Sequence, residues 1–370
     1  MTRTARLLAA WLILLSLTGA TAAQGLFDRH AADVDHAAPE ASYGIAQGAF
    51  VAVPIPFSNP VIGSGLALGA GYLFSADAGS KPSVPGLGAF RTDNGSEGYG
   101  ATINLALDRN RWLFTSFFGT ANLNYDLYTG LGRLPLRQKG DLARLGLSYG
   151  VTPDLSFGAT LRYLRSRVGL NGPALPGLLD GIVGDLDLQL LNLGVVAQWD
   201  RRDDTVYPTS GSNLAVNADH GTTISGFARD YQKAYATFDL YRPQGASGVF
   251  AGRLALCAAS RGTPFFDLCS LGGTDNFRGF AATEYLDRRL ASVQVAYRHQ
   301  FGNRIGGAAF AGAGWTGNSV DTLTGDGPHV AGGLGLRYRV SQKYPVDLSI
   351  DGTINDQDET QLYIYVGQRF

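Results

Sequence analysis

Apolar and polar positions alternate with a period of two along most of this chain, which is the signature of strands with one buried and one contrasting face. In "ATINLALD", Ile103, Leu105 and Leu107 alternate with Thr102, Asn104 and Ala106. In "LQLLNLGVVAQW", Leu191, Leu193, Val195, Ala197 and Trp199 oppose Asn192, Gly194 and Gln198. In "ASVQVAYRHQ", Val293, Val295 and Tyr297 oppose Ser292, Gln294, Arg298 and Gln300, and later Leu334, Leu336 and Tyr338 oppose Gly333, Gly335, Arg337 and Arg339. Strands of a soluble sandwich run about five or six residues. Many of these run about ten or more, the length that crosses a bilayer at a tilt. The pattern predicts an all-β chain, a transmembrane antiparallel β-barrel of about sixteen strands, the even number a bacterial barrel requires. The first eight fall near 44–57, 61–75, 84–92, 96–107, 111–124, 138–151, 155–168 and 189–200. The second eight fall near 210–221, 229–241, 248–260, 286–300, 306–316, 328–340, 345–353 and 361–370.

The N-terminus departs from this pattern. Arg3 and Arg6 precede the apolar run "LLAAWLILLSLTGA", and "ATAAQG" follows with small residues, so 1–23 is expected to be an export signal and not part of the fold. Residues 24–43, rich in Ala and Asp, are expected to form a flexible periplasmic linker, leaving 44–370 for the barrel. After the signal there is no apolar run of about 18 residues, so no transmembrane helix is predicted. The terminal segment "QLYIYVGQRF" ends on an aromatic, Phe370, as outer-membrane barrels commonly do, and closure of the barrel would protect that strand from edge pairing.

Composition narrows the function. Fifty glycines with 17 Tyr, 19 Phe and a single Met suit strands and turns. Thirty basic against 31 acidic residues, with no block of like charge, argue against a nucleic-acid partner. The five histidines are scattered without a metal-binding spacing, and no cofactor motif is present. Cys257 and Cys269, in an exported chain, favour a disulfide, with two packed thiols as the alternative. Two enzyme-like strings fail on context. "GLSYG" lies inside an alternating strand instead of a strand-to-helix elbow, and no helix follows "GAGWTG" to hold a phosphate. The chain is therefore not expected to be an enzyme.

The connection after strand eleven, about 261–285, carries "LGGTDNFRGF": Gly272, Gly273, Phe277, Arg278, Gly279 and Phe280. Its apolar neighbour "PFFDLCSLGG" is poorly suited to water, which predicts a loop folded back into the lumen from the extracellular side. Three stretches together resemble the bacterial surface antigen barrels, the BamA/TamA family of outer-membrane proteins. They are this loop, the segment "WDRRDDTVYPTSGSNL" between strands eight and nine, and the late Gly-rich pair "GGLGLRYRVSQKYPVDLSIDG". The resemblance covers most of residues 190–370 and implies that Arg278 reaches down the lumen to an acid on a late strand. By parity those acids are Asp351, the preferred partner, and Asp347; a solvated loop arginine is the alternative. It also implies a periplasmic turn organised by Asp200, Arg202, Asp203, Pro208 and Gly211.

Several departures accompany the resemblance. Gly312 in "FAGAG" and Ala296 before Tyr297 stand where the family often carries acids, so a differently wired loop is expected, with a Cys257 to Cys269 bridge as compensation. The family's periplasmic POTRA domains have no counterpart in the 20 residues between signal and barrel, so a bare barrel of the branch lacking them is expected. The resemblance implies a multi-pass protein of a Gram-negative outer membrane, in contact with outer-membrane lipid and lipopolysaccharide and inserted by the barrel assembly machinery. It further implies a role in inserting or translocating protein or lipid cargo, with a periplasmic partner or a homodimer in reach. A passive diffusion channel and a structural or adhesive surface protein remain competing readings.

Overall fold

The computed structural model describes residues 44–369 apart from 60, 78, 81–82, 130–131, 172–185, 205–206, 227–228, 273–276, 326 and 340–346. The signal and linker assigned to 1–43, Gly273 and Phe370 lie outside the described residues. Barrel strands β1 to β6 are Ala49–Asn59, Gly63–Leu73, Val84–Thr92, Glu97–Leu107, Trp112–Thr129 and Gly132–Gly150. Strands β7 to β11 are Leu155–Leu170, Leu186–Asp200, Gly211–Gly226, Tyr231–Gln244 and Gly248–Ala259. A small hairpin, β12 (Cys269–Ser270) with β13 (Leu286–Asp287), lies within the next connection. The wall resumes with β14 (Arg289–Gln300), β15 (Ile305–Gly317), β16 (His329–Arg339), β17 (Asp347–Asn355) and β18 (Thr360–Val366). These sixteen wall strands form one closed antiparallel barrel, with β11 next to β14 and β18 meeting β1.

Two features of the wall bear on function. First, the strands are of unequal height. Strands β5 and β6 have 18 and 19 residues, whereas β17 and β18 have 9 and 7. At about 3.3 Å per residue and a tilt near 40°, seven residues rise only roughly 18 Å, less than the ~25 Å apolar band of an outer-membrane barrel. Second, the closing seam is thin. β1 runs in continuous register with β2 from Ala49 opposite Leu73 to Asn59 opposite Gly63, but among the described residues it meets β18 at one registered pair, Ser58 opposite Ile364.

The sequence pattern places the strands closely but stops the β5–β6 hairpin short, near 124 and 138, whereas its ladder continues to Thr129 opposite Gly132. In the lower wall the outward side chains are apolar, such as Leu145, Leu147 and Leu161, and the lumen-facing ones are polar, such as Arg144, Ser148 and Arg162. Above, the period persists but the faces exchange: Arg137, Lys139 and Asp141 point outward while Leu123, Leu136, Leu164 and Leu190 are buried inside. A strand that leaves lipid for water needs a polar exterior and can pack an apolar interior. At the N-terminus, residues 45–47 form a 3-10 turn instead of the first turns of a strand.

The three longest connections, 171–185, 260–288 and 318–328, lie at the same end of the barrel. Outer-membrane barrels place short turns in the periplasm and longer loops outside, which makes that end extracellular.

Candidate functional site

The 260–288 connection is packed inside the barrel. Phe266, Leu271, Phe277 and Phe280 are each 2 % exposed or less, so the apolar segment is buried in a core made with the inner wall. Cys257 on β11 is disulfide-bonded to Cys269 on β12, which ties the base of the loop to the wall. Further along, the Thr283 hydroxyl donates to the Asp126 carbonyl of β5 (2.7 Å), so the loop reaches across the lumen.

Arg278 lies at the centre of this packing. Its side chain is 2 % exposed, its Nη1 donates to Asp351 Oδ2 on β17 (2.6 Å), and its guanidinium lies 3.5 Å from the centroid of the Phe310 ring on β15. Desolvation of a guanidinium is offset by a charge-assisted hydrogen bond and by the negative face of an aromatic ring. Asp351 is shared: Arg337 Nη1 donates to Oδ1 (2.5 Å) and the Tyr365 hydroxyl to Oδ2 (2.7 Å). Room for this carboxylate comes from Gly335, its cross-strand partner on β16, where a Cβ would fall on Asp351 Oδ1. In the loop motif itself, Gly279 has φ +124° and lies against Ala331; its N–H donates to the Tyr363 hydroxyl (2.9 Å) and its carbonyl accepts from Asn355 (3.1 Å). Phe277 and Phe280 stack with centroids 5.8 Å apart, and Gly272 has its backbone against the Ala281 carbonyl.

Asp347 does not contact Arg278, in contrast to its place among the candidate partners. It is four residues lower on β17 and accepts from Arg339 (3.0 Å) and Gln368 (2.7 Å), and Gln368 in turn accepts from Arg337 (3.0 Å). Parity puts both acids on the lumen face, but only Asp351 lies at the depth the loop reaches. The two expected departures have a physical counterpart. At Gly312 the missing side chain leaves space filled by Phe277 and Gln294, and Ala296 belongs to an apolar cluster with Tyr241, Val249 and Phe310. Aromatic packing thus occupies positions where additional carboxylates would sit.

A second anchor was not legible as a motif. Asp267, in the 3-10 turn Phe265–Asp267, is 1 % exposed and receives Arg162 of β7 and the Tyr231 hydroxyl of β10, with Lys233 Nζ 3.5 Å away. Burial pushes its carboxyl up, but Arg162 and Lys233 outweigh burial and hold it well below the usual carboxylate range. The available signal was a lone acid in the apolar run "PFFDL" together with cations at the lumen parity in "TLRYL" and "YQKAY".

The 201–210 turn caps the opposite, periplasmic mouth. Arg202 forms a two-pronged ion pair with Asp200 (2.8 and 2.7 Å). Asp203 accepts from the Thr209 hydroxyl and from the N–H groups of Asp204 (3.0 Å), Thr209 (2.9 Å) and Ser210 (3.0 Å). Burial raises the Asp203 carboxyl and these bonds outweigh it, leaving its pKa lowered. The Pro208 carbonyl accepts from the buried Arg298 of β14, and Gly211 opens β9 at φ +95°. Among the described residues no group of three His, Cys, Asp or Glu is placed to hold a metal ion.

At the outer rim of the loop, burial raises the Glu284 carboxyl to about 7, with Glu359 and Asp356 pushing the same way, while the Ala281 N–H that donates to its Oε2 (3.0 Å) and Arg133 oppose. Because its folded value exceeds its ordinary 4.5, this group favours the seated loop fully below about 4.5, and that contribution is lost as pH rises through about 7. Protease protection of the loop is therefore expected to fall across that window, and Glu284→Gln should flatten the dependence; an unchanged pH profile in the variant would contradict this assignment.

A sixteen-stranded barrel with an apolar outer belt and a lumen-folded loop pinned to both sides of its inner wall is an outer-membrane β-barrel of the loop-plugged class. A family model for the Omp85 superfamily domain matches residues 96–370, and the chain belongs to that superfamily. Among solved structures it is similar to BamA from Haemophilus ducreyi lacking POTRA domains 1–3, with TM-score 0.58 and 14% identity over 86% of this chain and 70% of that one. It is also similar to CdiB from Escherichia coli (0.57, 14%, 87% of this chain and 62% of that one). CdiB from Acinetobacter baumannii is comparable (0.55, 14%, 82% and 56%), so the chain spans less than two thirds of either CdiB. No curated protein matches the chain in sequence.

Proposed function

We propose that this barrel inserts or translocates protein or lipid substrates at the outer membrane, without an energy source of its own, by opening at the seam between β1 and β18. The observation that carries this reading is that, among the described residues, one registered pair, Ser58 opposite Ile364, joins a boundary flanked by the shortest wall strand. Edge groups of β1 that the seam frees on opening would be available to a strand of a client, because backbone donors and acceptors in an apolar surrounding bind any partner ladder offered. A short β18 favours a locally thinned bilayer, since lipid adapts to a mismatched apolar span. In this reading the seated loop, with Arg278 on Asp351, stiffens the wall beside the seam while the seam itself opens.

A water-filled diffusion pore fits less well, because the loop and the upper lumen share an apolar core that includes Phe266, Leu164 and Tyr363. The test is a cross-seam bridge, Ser58→Cys with Ile364→Cys, in a chain whose Cys257 and Cys269 are both Ser. The oxidised form is expected to fail, and the reduced form to succeed, in restoring the outer-membrane protein and lipid profile of a deletion strain. An unaltered profile in the deletion strain, or full restoration by the oxidised form, would sink the proposal.

A further inference from the structure

On three adjacent strands the outward face changes from apolar to charged at the same register level. Ala143 of β6, Tyr163 of β7 and Leu191 of β8 lie opposite one another, and one level toward the extracellular end so do Asp141, Arg165 and Gln189. The level above that pairs Lys139 with Arg167 and Arg167 with Asp187, and Arg137 lies one step higher on β6. Arg137, Lys139, Asp141, Arg165, Arg167 and Asp187 are all exposed. Below the change, Leu145, Leu147, Leu161, Leu193 and Val195 form the lipid-facing surface.

The placement of the cations carries a cost that the protein's own acids relieve only in part. Lys139 and Arg167 are direct cross-strand neighbours, and like charges directly opposite in a ladder destabilise it. Asp187 grips Arg167 through both oxygens (2.8 and 3.0 Å), which fixes that guanidinium outward, but among the described residues no ion pair joins Asp187 or Asp141 to Lys139 or Arg165. A ligand that brings phosphate to this level would relieve the repulsion, and one that also carries acyl chains would cover the apolar face beneath. Phosphates fit here by charge, since Lys and Arg near a membrane surface each attract anionic lipid.

We propose that the outward face of β6, β7 and β8 binds the phosphorylated glucosamine headgroup of outer-leaflet lipopolysaccharide, with Arg137, Lys139, Arg165 and Arg167 as the phosphate contacts. This site faces lipid on the tall side of the barrel, where β6 to β8 have 15 residues or more, and is separate from the lumen loop. It holds the tall wall at the level of the outer leaflet.

The test uses the complete barrel in neutral detergent and measures binding of bis-phosphorylated lipid A by native mass spectrometry, with dephosphorylated lipid A and phosphatidylglycerol as the other probes. Lys139→Ala with Arg165→Ala is expected to weaken lipid A binding by roughly 30-fold, about fivefold for each cation removed. Asp141→Asn, which removes an interspersed negative charge, is expected to strengthen it several-fold, a gain that a fold defect would not produce. All three positions point away from the lumen, and an unchanged unfolding temperature in lipid-free detergent checks that each variant is folded. Binding that ignores these substitutions would overturn the proposal. So would equal retention of dephosphorylated lipid A, or phosphatidylglycerol binding as tightly with the same residue dependence.

Discussion

Asp351→Ala is expected to lower the unfolding temperature of the detergent-solubilised barrel by an amount corresponding to about 3–5 kcal/mol, the usual cost of removing one partner from a buried ion pair. The side chain is fully buried and binds two guanidiniums, so its loss takes the neutralising carboxylate from both Arg278 and Arg337 beside Phe310 and Tyr365. Arg278→Ala is a different experiment. It leaves Asp351 bonded to Arg337 and Tyr365, so the wall stays satisfied and the loss of stability is smaller. What Arg278→Ala removes is the tip of the loop's hold on β17. Planar-bilayer conductance, mostly closed in the unaltered barrel, should then show more frequent openings. The two substitutions thus separate wall from loop. Equal destabilisation by both would mean that the carboxylate does not serve Arg337 independently.

Asp267→Ala is expected to have the second-largest effect, again about 3–5 kcal/mol if breaking a buried pair sets the scale. Arg162 and Lys233, 5 % and 6 % exposed, both face this carboxylate, and Tyr231 donates to it while also contacting Arg162 and Asn192. With the carboxylate gone, two cations remain together in the lumen and repel each other. Water entering to solvate them would lift Phe265 and Phe266, so limited chymotrypsin digestion should newly cleave at these residues. The Cys257–Cys269 bridge keeps the next residues against β11, which confines the opening to the proximal part of the loop. Cleavage confined instead to the distal part, around Phe277 and Phe280, would show that the two anchors are not separable.

Strand positions in the membrane zone were legible because lipid outside and a polar lumen inside impose opposite demands on successive residues. Ile103, Leu105 and Leu107 show it in a single short stretch. The same rule hid the upper β5–β6 hairpin, where Leu134 and Leu136 turn inward and Arg137 and Lys139 outward, so that a reader following one apolar face sees the strand end. The lumen parity of Asp351 and Asp347 was equally plain, since residues four apart on a strand share a face. Their depth was not, because depth depends on shear and on how far a connection from elsewhere in the chain descends. Asp267 was invisible for a related reason: its partners Arg162, Tyr231 and Lys233 come from β7 and β10, and no local spacing encodes their meeting.

The bridging position of the lumen loop constrains the order in which the barrel can be made. Its Thr283 hydroxyl bonds to β5 and its Gly279 N–H to Tyr363 of β18, so one connection touches strands on either side of the closing boundary. Until β17 and β18 arrive, the Asp351 carboxylate that binds Arg278 and the Tyr363 phenol that binds Gly279 are not in place. A chain stopped short of its last hairpin would therefore keep the loop tip, Arg278 and Gly279, without its contacts to Asp351 and Tyr363. Completion of the wall and seating of the loop tip are in this way one event, and an unseated tip marks an unfinished barrel.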